Sequence, residues 1–322
     1  MTPTHIRALA TSALLAVSVL AQAQTWPGQT IKIIVPFTPG TGMDTIARTV
    51  SPKLSERLGQ PVVVQNTPGA SGNIGADNVA KSTPDGYTLL MGANTMLMAS
   101  QLYKNVPFNP VNDFSPVSMA AYGTLMLVAN PKTGYKSIQD LVAAAKAKPG
   151  SINYGSPGIG TPHHMAMELF KTRTQLFMLH VPYRGTAGYV QDLLSGEINV
   201  GFLPVHVAQG FVSSGKLTAL AVGGNARHPV APNVATFGEL GVKDVNVDMW
   251  YAFFVPNKTP APVVNRLNSE IAAIMGLPET RAILSRAGLD AASSSTSELN
   301  TTVKKDYERW GSVIKRNGIT AD

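Results

Sequence analysis

The chain has 322 residues, 44% of them hydrophobic, which is enough to bury an ample core and to form about two domains of ordinary size. It contains 0 cysteines, which excludes a disulfide framework, a thiolate metal site and a thiol-linked lipid anchor. The formal net charge is +7, but Lys and Arg are scattered apart from Lys304-Lys305, so the positive balance reads as mild attraction for anions and not as a nucleic-acid footprint.

At the N-terminus, Arg7, the apolar run Ala8 to Val19 and the small residues Ala21-Gln22-Ala23 have the pattern of a secretory signal peptide over residues 1–23, cut after Ala23. The run is too short to span a membrane, and no later segment offers an uninterrupted apolar stretch of about 20 residues. The expected product is soluble and exported.

Ile31 to Val35 and Val62 to Gln65 have the composition of buried parallel strands, and between them Ile46, Val50, Leu54 and Leu58 recur at helical spacing. In this β-α-β unit Asp44 stands at an expected N-cap, Gly59 at C′, and Pro52 at an expected kink. The scheme repeats with a short helix over Gly72 to Lys81, a turn at Pro84-Asp85-Gly86 and a strand over Tyr87 to Met91. Leu125 to Ala129 is a further strand. From about Asn130 a second series predicts a helix at Ser137 to Lys148, a strand near Ile152 to Tyr154, and a helix from Pro162. A strand at Leu179 to Val181, a helix at Thr186 to Leu194, and strands at Ile198 to Leu203 and Leu217 to Val222 complete it. Trp250 to Val255 reads as a strand returning to the first domain, and the tail supplies helices at Pro262 to Met275 and along Leu299, Val303, Tyr307, Trp310 and Ile314. The expectation is an α/β chain of two lobes, each a doubly wound, mostly parallel sheet, with lobe 1 at 24–129 and 250–322 and lobe 2 at 130–249. Two crossings make a hinge with a cleft.

Ligands of open α/β sheets settle at the carboxyl ends of strands. Four loops would therefore face the cleft: Phe37 to Asp44, Pro68 to Asn73, Ser156 to His163, and Tyr183 to Thr186. Each leads into a predicted helix N-terminus, where free backbone N–H groups and the helix dipole favour an anion. The glycines match neither a Walker A sequence nor the dinucleotide fingerprint, so nucleotide binding is disfavoured. His164 and Glu168 share a helical face beside His163, yet this is too few ligands for a metal site. His163 instead is a candidate hydrogen-bond donor to an anion. Ser156 does not fit the nucleophile elbow, and Ser156 and Thr161 read either as ligand-binding hydroxyls or as helix caps. Arg184 is placed to grip a carboxylate or to pair with Asp192, and Tyr183 beside it is open between ligand contact and packing.

The segments Val35-Pro-Phe-Thr-Pro-Gly-Thr-Gly-Met-Asp44, Gly69-Ala-Ser-Gly-Asn-Ile-Gly-Ala76, Pro84-Asp-Gly-Tyr-Thr-Leu-Leu90, Val181-Pro-Tyr-Arg-Gly-Thr186 and Gly215-Lys-Leu-Thr-Ala-Leu-Ala-Val222 together resemble the Bug family. These are the periplasmic substrate-binding receptors of tripartite tricarboxylate transporters. The resemblance implies a type II-like two-lobed binding protein, monomeric and periplasmic, that closes on a small carboxylate and delivers it to the permease subunits. It implies no enzymatic activity, no cofactor and no metal. Carried over, it implicates Phe37, Thr38, Gly42, Asp44, Ala70, Ser71 and Asn73 in the first lobe and Ser156, Thr161, His163 and Arg184 in the second. Asp44 is read as a cap and water organiser. Two positions depart from the family pattern: Thr41 follows Gly40 where a second glycine is usual, and Leu203 stands where amino-acid-binding members tend to carry an acid. With Leu203 in the pocket, the expected ligand has no amine, since an unpaired buried ammonium is costly. The rival readings are a ligand-sensing adaptor for a signalling partner and an exported hydrolase using Ser156 and His163.

Overall fold

The computed structural model describes residues 26–245 and 249–320; the expected signal peptide and its cleavage site lie outside them. The chain opens with β1 (Ile31–Val35), an apolar run buried at every position but Lys32, and continues through α1 (Gly42–Leu58), β2 (Val62–Asn66), a 3₁₀ turn at Ala70–Gly72, α2 (Asn73–Ala80) and β3 (Thr88–Ala93). Both β2 and β3 pair in parallel with β1, so two β-α-β units stand side by side. Next come α3 (Thr95–Leu102) and β4 (Phe114–Gly123). Thr124 alone separates β4 from β5 (Leu125–Ala129), which belongs to the second sheet.

That sheet is built from α4 (Ile138–Ala147), β6 (Asn153–Ser156), α5 (Pro162–Thr174), β7 (Leu179–Pro182), α6 (Thr186–Ser195), β8 (Val200–Pro204), α7 (Val205–Ser213) and β9 (Thr218–Val222). The chain then returns as β10 (Met249–Pro256), and α8 (Ala261–Gly276), α9 (Pro278–Arg286), β11 (Leu289–Ala291) and α10 (Thr296–Arg316) close the first lobe. Strand order is β11-β4-β10-β3-β1-β2 in one sheet and β7-β6-β8-β5-β9 in the other. In each, the strands that lead into the glycine-rich loops are parallel, whereas β5 and β10, which enter directly from the crossings, are antiparallel to their neighbours.

Strand 125–129, expected in the first lobe, is hydrogen-bonded between β8 and β9, so the chain passes to the second sheet at Thr124 and not near Asn130. An apolar run encodes a buried strand but not which edge it joins. In α1 the N-cap is Thr41, whose Oγ1 accepts from the Asp44 amide, so Asp44 falls in the first turn instead of at the cap. One helix spans Pro52 and ends at Gly59 in the left-handed conformation. The unforeseen α3 is buried on nearly every side, so its sequence lacks the polar stripe that announces a surface helix. One apolar cluster runs through both lobes by way of Leu125, Met249 and Tyr251; a second fills the outer face of the first sheet and a third that of the second sheet. Alternation along β10 sends Trp250 and Phe254 into the outer cluster and Tyr251 and Phe253 into the shared one.

Candidate functional site

Within the first loop the Asp44 carboxylate accepts the Gly40 amide at 3.0 Å, the Arg48 Nε at 3.0 Å and the Asn66 Nδ2 at 2.9 Å. Burial on its own would raise this carboxyl, but the Arg48, Gly40 and Asn66 hydrogen bonds outweigh it and hold the group below the usual carboxylate range. Asn66 also donates to the Phe37 carbonyl, tying the end of β2 to the loop. Asp44 thus folds back on its own loop and does not face the ligand space, which leaves the amides of Gly42 and Met43 at the helix start.

The second loop is a run of left-handed residues: Gly69 at φ 139°, Ala70 at 47°, Ser71 at 52° and Gly72 at 91°. For Ala70 and Ser71 this costs roughly 1–2 kcal/mol each, a strain that persists only where the surroundings impose it. One restraint is visible, a hydrogen bond at 3.1 Å between Ser71 Oγ and Tyr103 Oη.

In the second lobe, Thr161 caps α5; its Oγ1 donates to the Gly158 carbonyl and accepts from the His164 amide. His164 Nδ1 accepts the Gly160 amide, and its Nε2 lies 4.0 Å from Glu168, whose carboxylate also takes hydrogen bonds from Tyr154 and Lys171. Tyr154, His180 and His164 stack in one column behind the loop. Ser156 is fully buried: its hydroxyl lies 2.7 Å from His180 Nε2 and accepts the Gly158 amide. It lines neither cavity of the cleft, and its hydrogen bonds tie it to the loop. Tyr183 donates to Asp192 at 2.6 Å, with burial and that acid pushing its phenol well above the ordinary value, and Asp192 therefore pairs with Tyr183 and not with Arg184.

Two cavities lie between the lobes and share Phe37 and Pro157. The inner one, about 50 Å³, is lined by Thr41, Gly42 and Met43 of α1, Asn94 and Thr95 of α3, Thr161 to His163 of α5, Thr186 of α6 and Pro204 at the start of α7, with Met249 and Tyr251 of β10. Five helix N-termini converge on it. The outer cavity, about 240 Å³, lies among Gly69 to Gly72, Tyr103, Pro157 to Ile159 and Pro182 to Arg184. Among the described residues lining either cavity there is no Asp or Glu, and Arg184, exposed at the outer one, is the cation.

The lobes meet closely around these spaces. A Cβ on Gly158 would lie 2.5 Å from Ser71 Oγ, and one on Gly185 would lie 2.5 Å from Thr38 Oγ1. Thr38 therefore sits at the seam, and its Oγ1, like Asn73 Oδ1 and both ring nitrogens of His163, has no hydrogen-bond partner among the described residues. Phe37, Gly42, Thr161 and His163 line the inner cavity, and Phe37, Ala70, Ser71, Tyr183 and Arg184 the outer one. Thr38, Asn73 and Asp44 stand behind these walls.

Leu203 is elsewhere. It is fully buried in the third apolar cluster with Met126, Val128 and Tyr189, while Phe202 next to it packs on Phe237. Neither lines the cleft, so Leu203 says nothing about an ammonium group, and Leu203→Asp would place a charge in the core instead of the pocket. Thr41 and Thr186 lie in loops that sequence reasoning named without singling them out, whereas Asn94, Thr95, Tyr103, Met249 and Tyr251 lie outside those loops and were missed. Tyr251 had a legible signal, since alternation with the packed Trp250 on a returning strand turns it to the opposite face. Asn94 and Thr95 had none, because α3 itself was unforeseen.

Comparison with known proteins agrees with this arrangement. The sequence profile described as the Tripartite tricarboxylate transporter family receptor matches residues 46–319. Protein BugT of Bordetella pertussis is 33% identical over 298 residues, covering 92% of this chain and 91% of that protein. The structure of periplasmic binding protein BugD superposes with a TM-score of 0.86 at 28% identity, covering 92% of this chain and 99% of that one. The structure of R. palustris Rpa4515 with adipate superposes with a TM-score of 0.87 at 31% identity, again over 92% of this chain and 99% of that one.

Proposed function

The chain belongs to the tripartite tricarboxylate transporter receptor family, that of the Bug proteins, and from that premise we propose that it is a periplasmic receptor closing on one small organic carboxylate. The observation that carries the reading is the convergence of five helix N-termini on the inner cavity with no acidic side chain in its wall among the described residues. Each terminus brings a partial positive charge, so a carboxylate placed there is stabilised without a buried cation, although Pro162 has no amide to offer and the Val205 amide is taken by the Thr124 carbonyl. Arg184 at the outer cavity offers a second, charged grip to a longer acid. Adipate on the similar Rpa4515 supports a dicarboxylate, and Phe37 between the cavities leaves aromatic acids open.

The receptor works as a monomer, presents its closed form to the permease subunits of a tripartite transporter, and performs no chemistry. Ser156, the one nucleophile the sequence offered to a hydrolase, is walled off from both cavities and engaged with Gly158 and His180. The test is a thermal-shift and calorimetric screen of dicarboxylic, hydroxy and aromatic acids. An acid at about 100 times its Kd should stabilise the fold by about 2.7 kcal/mol. If no acid of the panel stabilises the protein, the reading fails.

A further inference from the structure

We infer that His163 selects ligands bearing an uncharged hydroxyl or carbonyl oxygen within the inner cavity. The inference rests on the receptor reading above and adds a chemical class to it. His163 is 9% exposed at the start of α5, and neither Nδ1 nor Nε2 finds a hydrogen-bond partner among the described residues. Buried polar groups in folded proteins are nearly always satisfied, and a ring with two unpartnered nitrogens in the wall of a binding cavity is completed by what enters it.

The remaining wall decides what that is. Phe37, Met43, Ala93, Pro157, Pro162 and Met249 are apolar and cannot complete the ring, and the polar wall residues Thr41, Asn94, Thr95, Thr161 and Thr186 make no hydrogen bond to it. Tyr251 Oη, also in the wall, makes its contact with Met249 Sδ at 4.0 Å. Burial drives the imidazole down to about 3, so at neutral pH it carries no charge and presents one N–H and one bare nitrogen. The helix termini serve the first carboxylate and a neutral ring adds no counter-charge to theirs, so a second carboxylate buried beside the first would be expensive. A hydroxyl, donor and acceptor at once, answers both nitrogen types, and a carbonyl oxygen answers the N–H. A methylene answers neither and leaves the ring as it is.

The experiment titrates the full chain by calorimetry with paired acids that differ in one hydroxyl: malate against succinate, and 4-hydroxybenzoate against benzoate. In at least one pair the hydroxy acid should bind on the order of tenfold more tightly, the effect of one buried hydrogen bond. His163→Phe should bring the ratio of the two affinities in each pair to about one, and His163→Gln, which keeps donor and acceptor, should retain part of the preference. On the unmutated protein, the ring-nitrogen resonances of His163 should shift on adding the hydroxy acid and not its hydroxyl-free partner, a readout that needs no variant to fold. Absence of a preference in both pairs, a preference that survives His163→Phe, or a His163 resonance unmoved by the preferred hydroxy acid overturns the inference alone. Failure of every acid to bind overturns the receptor reading beneath it.

Discussion

Gly160 of the second lobe lies against Ala99 of the first so closely that a Cβ added at Gly160 would come 2.6 Å from the Ala99 Cα. The obstructing atoms are backbone, so no rotamer change relieves the clash, and Gly160 has φ 74°, which only glycine adopts freely. Gly160→Ala should therefore hold the lobes apart. Ligand affinity is expected to fall by tenfold or more, about 1.4 kcal/mol, beyond the roughly 1 kcal/mol of backbone strain in the free protein. Calorimetry paired with urea unfolding separates the two effects, and an unchanged Kd would show that this contact is not part of the closed state.

Asp44 should act through its loop. Asp44→Ala removes the acceptor for the Gly40 amide and for Asn66 Nδ2, costing about 1–3 kcal/mol in urea unfolding. Because the folded carboxyl sits below its unfolded value, its contribution is present above about pH 4 and disappears as pH falls through the folded value. The variant should lose that acid-side dependence, and a stability curve parallel to the parent below pH 4 would contradict the assignment.

His163 has the same sign for a different reason. Burial lowers it to about 3, and burial with His228 lowers His206 to about 4, so the unfolded chain takes up protons first as pH drops below about 6.5. Stability is complete above that pH and is lost progressively toward about 3, each group contributing at most about 1.4 kcal/mol per pH unit. Denaturant unfolding across this window should show a shallower slope for His163→Phe than for the parent, and an equal slope would place the titration elsewhere.

Arg184 should matter in proportion to the charge of the ligand's far end. Arg184→Gln is expected to weaken a dicarboxylate about tenfold and a monocarboxylate much less, and added salt should shrink the difference. Equal losses for both acids in calorimetry would put Arg184 outside the second grip.

Much of the site's chemistry was legible because it is local. A glycine-rich turn between a strand and a helix exposes amides whatever surrounds it, so the loops around Gly42, Ser71, Thr161 and Arg184 could be named from their spacing. Asp44 was legible as an organiser but not as the partner of Asn66, which is 22 residues distant in sequence. Leu203 was misplaced because a strand residue faces the cleft or the core according to how the sheet is covered, and its neighbours Met126 and Val128 are brought there by β5.

The sequence by itself determined two α/β units, the order of their elements and the four anion-ready loops, since periodicity, capping and glycine chemistry act over a few residues. Tertiary structure alone decided that β5 joins the second sheet, that α3 supplies Asn94 and Thr95 to the cavity, and that Gly160 meets Ala99. Those outcomes depend on hydrogen-bond pairing and close packing between segments distant in the chain, which no short-range pattern encodes.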